Sequence, residues 1–246
     1  MLRAHLRAPV ALSSLLDASV RAILLDIEGT TTPIEFVHDV LFSYARARLQ
    51  EFLDRHGADP AVAADIALLR AEHAAETSPP PMASVAAYVR WLMDRDSKST
   101  SLKSLQGKIW AQGYQAGDLR GEVYPDVPPA LDRWRRQGIE LAIFSSGSVQ
   151  AQRDLFATTT AGDLTRFIRA YFDTTTGPKG AAQSYAQIAA ALERAPSEML
   201  FLSDVGAELD AARAAGMRTA LCVRKPGAAT PTGGHPVFHA FDQLPG

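Results

Sequence analysis

The apolar run Ile23-Leu24-Leu25 ends abruptly in Asp26-Ile27-Glu28-Gly29-Thr30-Thr31. A strand buried on both faces reads as a continuous apolar run, so this pattern predicts a buried strand with two acids at its carboxyl end. The periodicity then becomes helical. Phe36, Val40, Leu41, Tyr44, Leu49, Phe52 and Leu53 share one face of a long helix ending near Gly57. Further helices are predicted over 59–76, 84–93 and 102–111, with Ser78-Pro79-Pro80-Pro81 as a break, and the next strand signal is Gly121-Glu122-Val123-Tyr124.

Beyond Pro125 helix and strand alternate. Strands are predicted over 139–144, 170–173, 199–202, 219–223 and 237–241, helices over 127–137, 179–194 and 207–215, and a Gly/Pro-rich loop over 226–236. Alternation of this kind implies parallel pairing. The expected fold class is therefore α/β, a Rossmann-like doubly wound parallel sheet. Residues 1–35 and 122–246 form its core, and 36–121 form an inserted α-helical cap. An insertion directly after the acid-bearing strand would lie above its carboxyl end and could act as a lid.

Composition narrows the function classes. A 246-residue chain with a net charge of -2 gives no electrostatic case for nucleic acid, so a small-molecule partner is expected. No stretch of about 18 apolar residues suggests a membrane span. Cys222 is the only cysteine, which excludes an intrachain disulfide and favours a reducing, cytoplasmic location; its apolar setting suggests a buried thiol. Arg3 and Arg7 before a short apolar segment are expected to belong to a lead-in rather than a signal peptide. No histidine pair has the spacing of a zinc hydrolase. Arg133, Arg135 and Arg136 read as the solvated face of a helix, and Trp91 and Trp110 as core of the helical unit.

Three more strand ends finish in polar residues: Ser145-Ser146-Gly147 after Phe144, the Thr174–Lys179 loop, and Ser203-Asp204. In a parallel sheet these ends converge on one edge, bringing Asp26, Glu28, Ser145, Lys179 and Asp204 together. Such a set suits phosphoryl transfer. Asp26 can attack phosphorus, Lys179 and serine hydroxyls can hold the transferring oxygens, and Asp26 with Asp204 can bind Mg²⁺ through hard oxygen ligands. Each residue has a plainer reading: Ser145 as a turn or cap, Lys179 as a solvated lysine at a helix start, Asp204 as an N-cap.

The order D-x-E-G-T, S-S-G, lysine, S-D resembles the haloacid dehalogenase (HAD) superfamily of aspartate-nucleophile phosphatases, whose usual opening is D-x-D. Glutamate at position 28 and the strings Asp26 to Ile34 and Ile143 to Gln152 resemble the enolase-phosphatase E1 (acireductone synthase) family of methionine salvage. Met93-Asp94-Arg95-Asp96 and Leu102 to Trp110 add to this likeness, which runs from about Ala22 to Val223. Pro178 before the lysine is a local departure.

The resemblance implies a HAD-like core and a Mg²⁺-dependent phosphoric monoester hydrolase with one Mg²⁺ per subunit. It implies enolisation of 2,3-diketo-5-methylthiopentyl-1-phosphate, then dephosphorylation to the acireductone. By similarity Asp26 is nucleophile and Mg²⁺ ligand, Glu28 is acid/base and joins the metal site through its main-chain carbonyl, and Asp204 ligates Mg²⁺. Ser145, Ser146 and Lys179 contact the substrate phosphate. Glu28, Glu35 and Lys103 are alternatives for the enolisation base, and Glu208 either holds a metal-bound water or only starts a helix. The expected protein is a cytoplasmic monomer acting on a small phosphate ester, without nucleic-acid or membrane partners. The alternative is a general Mg²⁺-dependent HAD phosphatase acting on another ester.

Overall fold

The computed structural model describes residues 12–78, 80–81, 83–95, 97, 99–225 and 232–244. The expectations for the lead-in before Leu12 and for the loop over 226–231 lie outside them, as do Pro79 and Asp96. By contacts the chain divides into two units. One comprises the described parts of Met1–Ile34, Glu122–Ser146 and Ala161–Gly246; the other comprises Glu35–Gly121 and Gly147–Thr160.

The first unit is built on a six-stranded sheet. Its strands are β1 (Ala22–Leu25), β2 (Glu140–Phe144), β3 (Ala170–Phe172), β4 (Met199–Ser203), β5 (Arg218–Cys222) and β6 (Val237–Phe238), in the order β3-β2-β1-β4-β5-β6. Every pairing is parallel. The fold is thus the expected doubly wound α/β type. All four β1 residues are fully buried, and Leu25 pairs with Ile143 of β2 on one side and Leu202 of β4 on the other. Burying each such aliphatic side chain contributes about 1.5–3 kcal/mol, which fixes β1 at the centre of the sheet. The strand order reverses between β1 and β4, and a ligand crevice opens at the carboxyl edge of such a switch point.

In chain order the helices are α1 (Ser43–His56), α2 (Pro60–Ala75), α3 (Val85–Asp94), α4 (Thr100–Ala116), α5 (Val127–Arg136), α6 (Val149–Ala157), α7 (Ala182–Ala191) and α8 (Gly206–Ala214). Tyr185 and Ile188 of α7 and Leu209 and Ala212 of α8 pack with Leu24, Phe144 and Phe201 in one buried cluster of the sheet unit. In the helical unit Leu49, Phe52, Leu69, Val89, Leu105 and Ile109 close a second core. Trp91 stacks with Tyr88, and Trp110 stacks with Phe42 while its indole N–H donates to the Leu41 carbonyl at 2.7 Å.

Four local expectations need correction. The segment predicted as the first turns of one long helix is π-helical over Phe36–Phe42 before α1 begins. Gly121 to Tyr124 is not a strand: Gly121 N–H donates to the Thr158 carbonyl, and Tyr124 N–H to the Thr31 carbonyl. Helix α6, not foreseen from the pattern, is capped by the Ser148 hydroxyl and packs on α4, which groups 147–160 with the helical unit. Arg133 is not simply solvated, since Nη2 donates to the carbonyls of Phe241 (2.9 Å) and Leu244 (3.1 Å) and ties down the segment over 241–244.

Candidate active site

Asp26 follows β1 directly, and its N–H continues the ladder to the Leu202 carbonyl at 3.0 Å, which holds the residue nearly buried beside β4. The chain then coils tightly. The Ile27 carbonyl accepts from the N–H groups of Thr30, Thr31 and Thr32, and Thr31 Oγ1 donates back to the Asp26 carbonyl at 3.0 Å. Gly29 makes the turn possible. Its φ is +69°, and a Cβ there would overlap the Asp204 carboxylate. The two acid-bearing strand ends therefore approach to within the space that only glycine leaves.

Lys179 reaches the same point from the loop after β3. The Tyr185 hydroxyl donates to the Lys179 carbonyl at 2.7 Å, and the Ser184 hydroxyl to the Pro178 carbonyl at 2.8 Å, so the first turns of α7 anchor the loop. Lys179 is not at a helix start, because α7 begins only at Ala182. Its Nζ lies 2.5 Å from Asp26 Oδ1 and 2.7 Å from Glu208 Oε2. Burial alone would lower the lysine pKa, but the two carboxylates outweigh it and hold the ammonium charged.

Asp204 does not cap α8, whose N-cap position is Val205. The Ser203 hydroxyl instead accepts from Val205 N–H at 3.1 Å and donates to Glu208 Oε2 at 3.2 Å. This leaves the Asp204 carboxyl free to face Gly29. Burial, then the charges of Asp26 and Glu208, push the Asp204 pKa up to about 7, and burial with the Asp26 charge raises that of Glu208. Ser145 is buried, with its N–H donating to the Phe172 carbonyl at 3.2 Å, and Ser148 rather than Ser145 caps the next helix.

Asp26, Glu28, Ser145, Ser146, Lys179 and Asp204 all line one cavity of about 120 Å³ within the sheet unit, together with Glu208 and the half-exposed apolar side chains of Ile34 and Val205. Glu35 and Lys103 belong to the helical unit. Cys222 is buried, with its thiol pushed up to about 12 by burial, so it supplies no nucleophile. Four acids thus share one lysine in a small cavity.

Among the described residues no group of three His, Cys, Asp or Glu side chains makes a ready metal cage. The expected set needs fewer side chains, namely the carboxylates of Asp26 and Asp204 with one main-chain oxygen of residue 28. All donors in that set are hard oxygens, and four acids face the single positive charge of Lys179. The donor chemistry fits Mg²⁺.

A parallel sheet whose switch-point strand ends in a nucleophile-competent aspartate, faced by a lysine from the loop after β3 and an acid after β4, defines a hydrolase of the haloacid dehalogenase class. A family model for haloacid dehalogenase-like hydrolases matches residues 20–216. Enolase-phosphatase E1 of Synechococcus elongatus is 52% identical over 236 residues, spanning 93% of this chain and 99% of the relative. Enolase-phosphatase E1 of Pseudomonas aeruginosa is 48% identical over 226 residues, or 92% and 98% of the two chains. The crystal structure of the UTR4 protein from Saccharomyces cerevisiae superposes with a TM-score of 0.73 at 35% identity, covering 91% of this chain and 99% of that one. CbbY from Rhodobacter sphaeroides, solved with phosphate, shares the fold at a TM-score of 0.59 and 18% identity over 92% of this chain and 96% of its own. The chain belongs to the enolase-phosphatase E1 family of haloacid dehalogenase-like hydrolases.

Proposed function

We propose that this protein is a bifunctional enolase-phosphatase of methionine salvage. Its substrate is 2,3-diketo-5-methylthiopentyl-1-phosphate, and its product is the acireductone 1,2-dihydroxy-3-keto-5-methylthiopentene. The observation that carries this reading is the shared placement of Asp26, Lys179 and Asp204 around a cavity whose second acid is glutamate, in a chain about half identical to enolase-phosphatases E1 over nearly its whole length.

Enolisation removes a proton from carbon 1 and places one on the carbonyl oxygen of carbon 2, forming the double bond between them. Glu28 lines the cavity and is assigned that exchange as its acid/base. In the phosphatase half, Asp26 attacks phosphorus and the phosphorus–oxygen ester bond breaks. The Glu28 carboxylic acid gives its proton to the leaving oxygen. The Glu28 carboxylate then takes a proton from water as the water attacks the aspartyl-phosphate, releasing phosphate and regenerating Asp26. Lys179, Ser145 and Ser146 hold the phosphoryl oxygens; the lysine, already charged, exchanges a carboxylate contact for a phosphate one. Asp26, Asp204 and the main-chain carbonyl of Glu28 would hold one Mg²⁺, which supplies charge neutralisation at the phosphoryl and enolate oxygens.

The test is phosphate release from the diketo phosphate beside a panel of sugar phosphates, with Mg²⁺ and with EDTA. A preference for the diketo ester, abolished by EDTA and by Asp26→Asn, supports the reading. Equal rates across the panel would make the protein a general Mg²⁺-dependent phosphatase, and release by Asp26→Asn would refute the aspartyl-phosphate route.

A further inference from the structure

Arg224 lies just beyond β5 and does not line the cavity, yet its side chain holds the turn that carries Glu28. Its guanidinium donates twice to the Thr30 carbonyl, from Nε at 3.0 Å and from Nη2 at 2.6 Å. The remaining nitrogen, Nη1, pairs with Asp126 Oδ2 at 2.7 Å, and the Arg224 side chain is only 8% exposed. The cation is also flanked by aromatic rings, with its Cζ 4.1 Å from the Tyr124 centroid and 4.8 Å from that of Phe241. Asp126 is itself fixed, since its Oδ2 accepts the Phe241 N–H at 2.5 Å.

Thr30 is the residue two beyond Glu28, in a turn with little slack. Gly29 N–H donates to the Thr32 carbonyl at 2.9 Å, Thr30 N–H donates to the Ile27 carbonyl at 3.2 Å, and Glu28 bridges to Thr32. A shift of the Thr30 peptide is therefore passed to Glu28 through Gly29, which lies so close to Asp204 that a Cβ there would overlap its carboxylate. The planar guanidinium grips one carbonyl with two N–H groups while a carboxylate and two rings hold the guanidinium. Lysine cannot reproduce that fork.

We propose that Arg224 is the positioning residue for the Glu28 acid: it fixes the Glu28-Gly29-Thr30 turn from behind, so that the carboxyl group meets the leaving oxygen in the phosphoryl-transfer step. This rests on the reading of Glu28 as acid/base given above. Arg224 touches neither the phosphate-holding groups nor Asp26, so its loss should impair proton delivery and spare phosphate binding.

The test is a leaving-group series in the presence of Mg²⁺, with p-nitrophenyl phosphate, whose leaving group departs unprotonated, and phenyl phosphate, whose leaving group benefits from an acid. For Arg224→Met we expect kcat/KM to fall about tenfold more on phenyl than on p-nitrophenyl phosphate, a part of the 10²–10⁴-fold range of general acid catalysis. Inhibition by inorganic phosphate should be unchanged. Arg224→Lys, which keeps the charge beside Asp126, should show the same steepening at smaller amplitude and carries the test where the methionine variant fails to fold. Equal losses on both esters, or weakened phosphate inhibition in step with them, would reduce Arg224 to a structural residue and overturn the proposal. Wild-type protein releasing phosphate from neither aryl ester nor the diketo phosphate would refute the phosphatase reading, and the proposal with it.

Discussion

The Lys179 ammonium sits 2.5 Å from the Asp26 carboxylate, with Glu208 2.7 Å away on its other side. A single cation thus straddles Asp26 and an acid from the first turn of α8. Removing it leaves buried carboxylates uncompensated, which is costly. Lys179→Met is expected to lose about 3 kcal/mol of stability in Mg²⁺-free buffer and to weaken inhibition by inorganic phosphate. Urea unfolding and phosphate titration check the two effects, and unchanged values in both would mean the ammonium is dispensable.

Glu28→Gln keeps the size of the side chain but can neither donate nor accept the catalytic proton. Turnover should fall by about 10²- to 10⁴-fold while the thermal midpoint stays near that of the wild type. Steady-state phosphate release beside a melting curve separates the two. An unchanged rate would remove the acid/base role.

Gly29 combines a left-handed φ of +69° with the close approach of Asp204. An alanine there carries about 1–2 kcal/mol of backbone cost before any overlap is counted. Gly29→Ala should therefore destabilise the protein and depress activity beyond what the stability loss explains, because the overlap displaces Asp204. A fully active, fully stable variant would contradict the packing of β1 against β4 at their carboxyl ends.

Acid stability has an identifiable contributor far from the cavity. Burial would raise the Glu140 pKa, but hydrogen bonds from Arg169 and from Arg194, the latter at 2.8 Å, overcome it and hold the pKa below the ordinary value of 4.5. Since the folded-state pKa is depressed, this stabilisation is complete above about pH 4.5 and is lost as pH falls through the folded-state value. Glu140→Gln should cost about 1–2 kcal/mol at neutral pH, and its thermal midpoint should decline less than that of the wild type between pH 5 and 3. Parallel declines would argue against the pair.

Much of this organisation was legible because parallel strands announce themselves. Leu24 and Leu25, or Phe201 and Leu202, are buried on both faces, so their apolar runs stop where the polar edge begins, and Asp26, Ser145 and Asp204 could be read directly from those stops. Lys179 was legible as a chemical type but not in its setting, since a loop reads like a helix start when α7 begins only at Ala182. Helix α6 escaped because it is short and buries Gln152, which donates to the Gly147 carbonyl at 2.7 Å, so its apolar stripe is broken. The π-helical turn at Phe36–Phe42 spans too few residues for its period to differ visibly from that of an α-helix. Arg133 and Arg224 were opaque for a common reason: each grips a main-chain carbonyl more than 100 residues away in sequence, and no local pattern encodes that contact.

The most direct measurement is a rapid-mixing turnover of 2,3-diketo-5-methylthiopentyl-1-phosphate with Mg²⁺, following enol absorbance and phosphate release in the same reaction. An enolase-phosphatase shows the enol absorbance rising ahead of phosphate, with Glu28→Gln depressing both phases. Phosphate released with no preceding enol would contradict the assignment and leave an ordinary phosphatase.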